Sequence, residues 1–88
     1  MKVVKKFKTF RDLVLRKTSK YDPTLRARLT FDNNYGISMV RDNLLKNRYE
    51  IAVLHNNELC FNTSITSDTV KGLTGREVTK LMEKIQKL

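Results

Sequence analysis

An 88-residue chain with 40% apolar and 31% charged residues is sized for one domain, and folding at this length buries only about 60 to 65% of the unfolded surface, so its core must be small. Eighteen Lys and Arg against nine Asp and Glu leave a net charge of +9; the first 28 residues hold ten of those cations and two of the acids, a local balance of +8. No run approaches the roughly 20 apolar residues of a membrane span. The lysine-rich opening MKVVKKFKTF is interrupted by charge and lacks a small-residue cleavage site, and the single Cys60 rules out an intrachain disulfide, so the chain reads as intracellular and unprocessed.

In chain order, Thr9 followed by Asp12 is an N-cap with an acidic partner three residues on, which predicts a helix over about residues 9–17 with Phe10, Leu13 and Val14 on one face. Val3, Val4 and Phe7 either extend that stripe or form a short strand. Asp22-Pro23 ends the element, because proline lacks a backbone donor and biases its predecessor away from the helical region. LRARLTFD alternates, with Leu25, Ala27, Leu29 and Phe31 facing one way and Arg26, Arg28, Thr30 and Asp32 the other, the pattern of a half-buried strand. Asn33, Asn34 and Gly36 tolerate positive φ and turn the chain around Tyr35 into a second strand over 37–41, with Ile37 and Met39 inward. A polar connection over 42–48 leads into YEIAVLHNNELCFNT, where two apolar runs flank Asn56-Asn57, a tight hairpin turn.

Beyond this meander, Thr66 or Ser67 caps a short turn that Gly72 ends, and Thr74 with Glu77 forms a second capping box. Val78, Leu81, Met82, Ile85 and Leu88 then make one apolar stripe on a final helix. The expected architecture is a single α+β domain over 1–88. It has a basic N-terminal helical arm (1–20), a four-stranded antiparallel β-meander (25–63) and a C-terminal segment (67–88) whose amphipathic helix packs on the same sheet face as the first.

YEIAVL at 49–54, LCFNTSIT at 59–66 and LTGREV at 73–78 resemble a family of small, functionally uncharacterised proteins of tailed bacteriophages. Members join a YEVAVL-like strand, a short turn and an LCYDTPIT-like strand to a helix opened by L-T-x-x-E-V, and 35–40 extends the likeness. Asn62 stands here where an aspartate is common and Ser64 where a proline is common, so a site served by that aspartate is weakened in this chain. The resemblance implies a phage origin, hence a host cytoplasm, and implies no activity.

Catalytic constellations are missing from the pattern. His55, the one histidine, sits beside a hairpin turn with no oriented partner and reads as a solvated turn residue. Cys60, in mid-strand, reads as a packed or half-buried small hydrophobe, with a reactive thiol as the alternative. Asp32 and Asp42 flank the first hairpin, where they either converge or serve as turn and solubility residues, and one His plus one Cys do not make a zinc site. Gly36, Gly72 and Gly75 are too dispersed for a phosphate loop. A non-catalytic protein without cofactor or metal is expected.

What the sequence does carry is charge of one sign. Lys2, Lys5, Lys6, Lys8, Arg11, Arg16, Lys17 and Lys20 on the arm and first helix, with Arg26 and Arg28 on the first strand, call for an anionic partner, and nucleic-acid phosphate is the first candidate. If helices cover the Leu25-Ala27-Leu29 face, Arg26 and Arg28 project from the open one, with Tyr21, Tyr35 and Tyr49 as candidate stacking residues. The rival reading is an interaction module that binds an acidic host protein through the basic patch or through Leu44-Leu45, paired leucines in a polar connection whose bland role is to fold back on the core or to form a short helical turn. Self-association through sheet edges or the last helix is a third option.

Overall fold

A computed structural model of the chain describes residues 7–60 and 69–88. It is an α+β domain: an antiparallel sheet of six strands, two of them very short, with one helix across one face. The strands are β1 (Arg16–Lys17), β2 (Leu25–Thr30), β3 (Tyr35–Arg41), β4 (Tyr49–His55), β5 (Glu58–Leu59) and β6 (Val70–Leu73), and the helix is α1 (Gly75–Gln86). Sheet order is β1-β2-β3-β4-β5, and β6 pairs with the far half of β4, on Tyr49 and Ile51, where β5 pairs with Leu54 and His55.

Turn chemistry sets the register. The β2–β3 loop places Asn34 at φ 67°, the Phe31 N–H donates to the Tyr35 carbonyl at 2.7 Å, and Arg28 comes opposite Ser38. Asn56 and Asn57 both take positive φ, 52° and 67°, as a two-residue hairpin turn requires. The expected alternation on β2 holds: Ala27 and Phe31 are buried, Leu25 and Leu29 half-buried, and Arg26, Arg28 and Thr30 exposed. Ile37, Met39, Ile51 and Val53 continue this face and meet Val78, Met82 and Ile85 of α1 in one apolar cluster. The helix opens as expected, with the Thr74 hydroxyl accepting the Glu77 N–H and the Glu77 carboxylate accepting the Thr74 N–H. Its C-terminal end is capped from the β2–β3 loop, where the Asn33 side-chain amide donates to the Ile85 carbonyl at 2.9 Å.

Among the described residues, the helix expected over 9–17 is absent. Thr9 and Asp12 do make reciprocal contacts, the Asp12 carboxylate accepting the Thr9 N–H at 2.8 Å, but they close a single 3-10 turn, Phe10–Asp12. Leu13 is already extended at φ −85° and ψ 126°. The reason is a period of two hidden in the sequence LVLR: extension turns Leu13 and Leu15 toward the core and leaves Val14 exposed, whereas a helix cannot deliver both leucines to the sheet and Arg16 to the ladder of β2. The 3-10 turn packs against α1 rather than beside it as an equal layer. The Phe10 N–H donates to the Thr79 hydroxyl at 3.1 Å, the Phe10 ring lies 4.9 Å from that of Tyr49, and Gln86 exchanges two hydrogen bonds of 2.8 Å with the Lys8 backbone.

The strand count also exceeds the expected four, because β1 and β6 extend the meander. Gly72 does not end a helical turn; it lies in β6 at φ 70°, where the pairing with β4 is irregular. Thr66 and Ser67, with Asn62 and Ser64 of the phage-like motif, lie outside the described residues.

Candidate nucleic-acid interface

Antiparallel pairing decides which cations gather. Arg16 on β1 lies directly opposite Arg26 on β2, so both side chains leave the same face, and Arg28 follows two residues along on that face. It is the face turned away from α1, since Ala27 and Leu29 between them join the helix-covered core. The three arginines line an open groove of about 740 Å³. One side is formed by Asp12, Val14 and Thr18 from the segment that replaces the expected helix; Ser38 of β3 lies toward the floor, and Leu59 of β5 closes the other side. The face is exposed mainly over β1 and β2. Farther along, Ala52 and Leu54 on β4 point to the same side yet are 6% and 1% exposed.

Two of the guanidinium groups are tethered. Arg28 reaches across β3 and donates from Nη2 to the Asn57 carbonyl in the β4–β5 turn at 3.2 Å. Arg26 lies 3.7 Å from an Asp22 carboxylate oxygen in a half-exposed pair, a contact that contributes little stability. The Asp22 carboxyl titrates below its ordinary 3.8, chiefly through hydrogen bonds from the Thr24 hydroxyl and N–H and to a lesser extent through the Arg26 charge. Thr24 is itself buried and held by a 3.0 Å bond from the Asn43 side-chain amide. Among the groove-lining residues three arginines face one acid, Asp12, and the surplus is positive.

The other expected cations are not brought to this groove. Arg11 lies with Arg76 and Thr79 at the start of α1, and Lys8 is tied by its backbone to Gln86 on the helix side. Lys17 and Lys20 are exposed near the edge strand, and Lys5 and Lys6 fall outside the described residues. Among the described residues, the cations expected on the N-terminal arm, helix and first strand are therefore divided between the two sides of the domain. The tyrosines divide too. Tyr49 is buried against Phe10, Tyr35 stacks on His55 at 4.3 Å on the helix-covered side, and Tyr21 is exposed in the loop before β2.

His55 is accordingly not a solvated turn residue but the half-buried last residue of β4. Cys60 is half-buried just after β5 rather than in mid-strand, its N–H donating to the Val53 carbonyl at 2.9 Å. Asp32 and Asp42 stand at opposite ends of β3, roughly 20 Å apart at the rise of a strand, so they do not converge. Among the described residues no group of three or more His, Cys, Asp or Glu is placed to hold a metal ion, and no helix is long and apolar enough to cross a membrane.

Leu44 and Leu45 do not fold back on the core: they are 94% and 55% exposed. Their loop is shaped by Asp42, whose carboxylate accepts the Leu44 and Leu45 N–H groups at 2.7 and 2.9 Å, and these two bonds lower its pKa below the ordinary 3.8. Val14 is a groove residue that the helical reading of 9–17 hid, and the alternation of Leu13 and Leu15 with Val14 and Arg16 was the signal that pointed to it; Ser38 and Leu59 reach the groove through the pairing of β3 with β2 and of β5 with β4, which no local pattern marks. No protein-family model, curated protein or solved structure matches the chain.

Proposed function

We propose that the protein is a small non-catalytic accessory protein of phage type that binds nucleic acid through the β1–β2 face. The observation that carries this reading is the convergence of Arg16, Arg26 and Arg28 on one groove, with Arg28 hydrogen-bonded to the Asn57 carbonyl and Arg26 beside Asp22. A planar guanidinium makes paired, charge-assisted hydrogen bonds to phosphate. Lys17 and Lys20, exposed near the same edge, add attraction at longer range. Fluorescence anisotropy with labelled duplex DNA and single-stranded RNA, at about 50 and 200 mM salt, tests it. Binding that weakens steeply across that range supports the proposal, and absence of binding to either probe at the lower salt overturns it.

A second reading has its own observation in the exposure of Leu44 and Leu45, which makes their loop a docking element for an acidic host protein. Arg41 and Lys46 lie beside them and supply the complementary charge. Affinity capture with the native chain and with the Leu44→Ser, Leu45→Ser variant separates the two readings, since loss of a captured partner on that substitution belongs to the second alone.

A further inference from the structure

We infer that the groove takes single-stranded rather than duplex nucleic acid, with a base lodged between aliphatic rims and phosphates on the arginines; this rests on the nucleic-acid reading above. Shape is the first ground. A duplex carries its phosphates on a convex cylinder and is read by a helix or ribbon that protrudes into a groove of the DNA. Here the cations lie in a recess of about 740 Å³, within the roughly 300–1,000 Å³ typical of sites that enclose a small ligand or one unit of a polymer.

The rims are the second ground. Val14 and Leu59 are 58% and 59% exposed and line the same groove as the guanidinium groups. Phosphate gains nothing from aliphatic carbon, whereas the face of a base does, and bases in a duplex are stacked out of reach. A single strand presents both chemistries together. The third ground is the supply of stacking surfaces. Tyr35 and Tyr49 are committed to the helix-covered side and Tyr21 stands exposed in the loop before β2, so the surfaces that line the groove itself and can meet the face of a base are Val14 and Leu59, while the guanidinium groups serve phosphate. Ser38, small and polar, leaves room at the floor and offers a hydroxyl to a base edge.

The experiment compares labelled oligonucleotides of about 12 nucleotides, a length suited to one small domain, as oligo(U), oligo(dT) and a duplex of matched length, at about 50 mM salt. Leu59→Ser and Val14→Ser are measured beside the native chain, with inorganic polyphosphate as competitor and thermal melting as the check on folding. Single strands are expected to bind at least about tenfold more tightly than duplex, and each serine variant to weaken single-strand binding severalfold while polyphosphate competes unchanged. Duplex binding as tight as single-strand binding overturns the inference and leaves the nucleic-acid reading standing, as do folded serine variants with native single-strand affinity. Absence of binding to every oligonucleotide overturns both.

Discussion

The salt dependence of binding can be worked from the groove, because each arginine that neutralises a phosphate releases condensed counterions. For a single strand, log K falls against log salt with a slope of about −0.7 per phosphate contact, so three contacts by Arg16, Arg26 and Arg28 give a slope near −2 and a loss of about 20-fold when salt rises fourfold. Replacing Arg26 by Gln leaves two contacts, a slope near −1.4 and a loss of about sevenfold over the same range. Replacing Arg28 as well leaves one contact, a slope near −0.7 and a loss of about 2.5-fold. Exposed lysines elsewhere add a common background to all three proteins, so the diagnostic quantity is the decrement of about 0.7 per arginine removed rather than the slope itself. Anisotropy titrations of a labelled oligo(U) at four or more salt concentrations measure it, with circular dichroism to show that the variants fold. Both side chains are exposed and their tethers lie at the surface, so folding is expected to persist. A folded double variant whose slope equals that of the native protein would remove these arginines from the interface and refute the reasoning.

Other outcomes follow from the same geometry. A Cβ on Gly36 falls 2.5 Å from the Leu29 carbonyl oxygen across the β2–β3 ladder, so Gly36→Ala must push the strands apart; a loss of about 1–3 kcal/mol, or about 5–20 °C in Tm, is expected, and an unchanged Tm would show that the hairpin yields without cost at this close approach. Gly72→Ala meets no atom within 4 Å but keeps φ 70°, so calorimetry should find a smaller cost, about 1 kcal/mol, from backbone strain alone. Leu44→Ser with Leu45→Ser should leave Tm nearly unchanged, because both side chains are largely in solvent, and a large drop would place them in the core. For pH, Glu77 is held below its ordinary 4.5 chiefly by the Thr74 N–H, with Asp22 and Asp42 held below 3.8; groups lowered in the folded state stabilise it above their unfolded pKa and lose that contribution as pH falls through the folded value. Melting temperature should therefore be level above about pH 5 and decline below about pH 4, and Glu77→Gln should flatten part of that decline.

Local rules carried a large share of the fold. The alternation of Leu25, Ala27 and Leu29 with Arg26 and Arg28 set both the strand and its two faces, because a period of two leaves no freedom once one face is apolar. Asn56-Asn57 marked its hairpin and Thr74 with Glu77 marked the helix start for the same kind of reason: each is a short-range fit between a side chain and the backbone beside it. The exposure of Arg26 and Arg28, half of what makes the candidate site, was legible at that level.

The rest depended on partners distant in the chain. Thr9 and Asp12 satisfy the rule for a helix start, yet extension won after one turn because β2 offered Arg16 and Lys17 a ladder and the core offered Leu13 and Leu15 a place. That choice carries Val14 and Arg16 to the groove and leaves Lys8 and Arg11 on the helix side, dividing a charge cluster that is continuous in the sequence. Gly72 is read in the same way: it resembles a helix stop until β4 supplies the edge that makes it part of β6. By itself the sequence determined the sign of the charge, the alternation and the turns, since these are properties of neighbouring residues. Which cations share a surface was decided by the pairing of strands, since antiparallel partners bring together side chains that lie ten residues apart along the chain, as with Arg16 and Arg26.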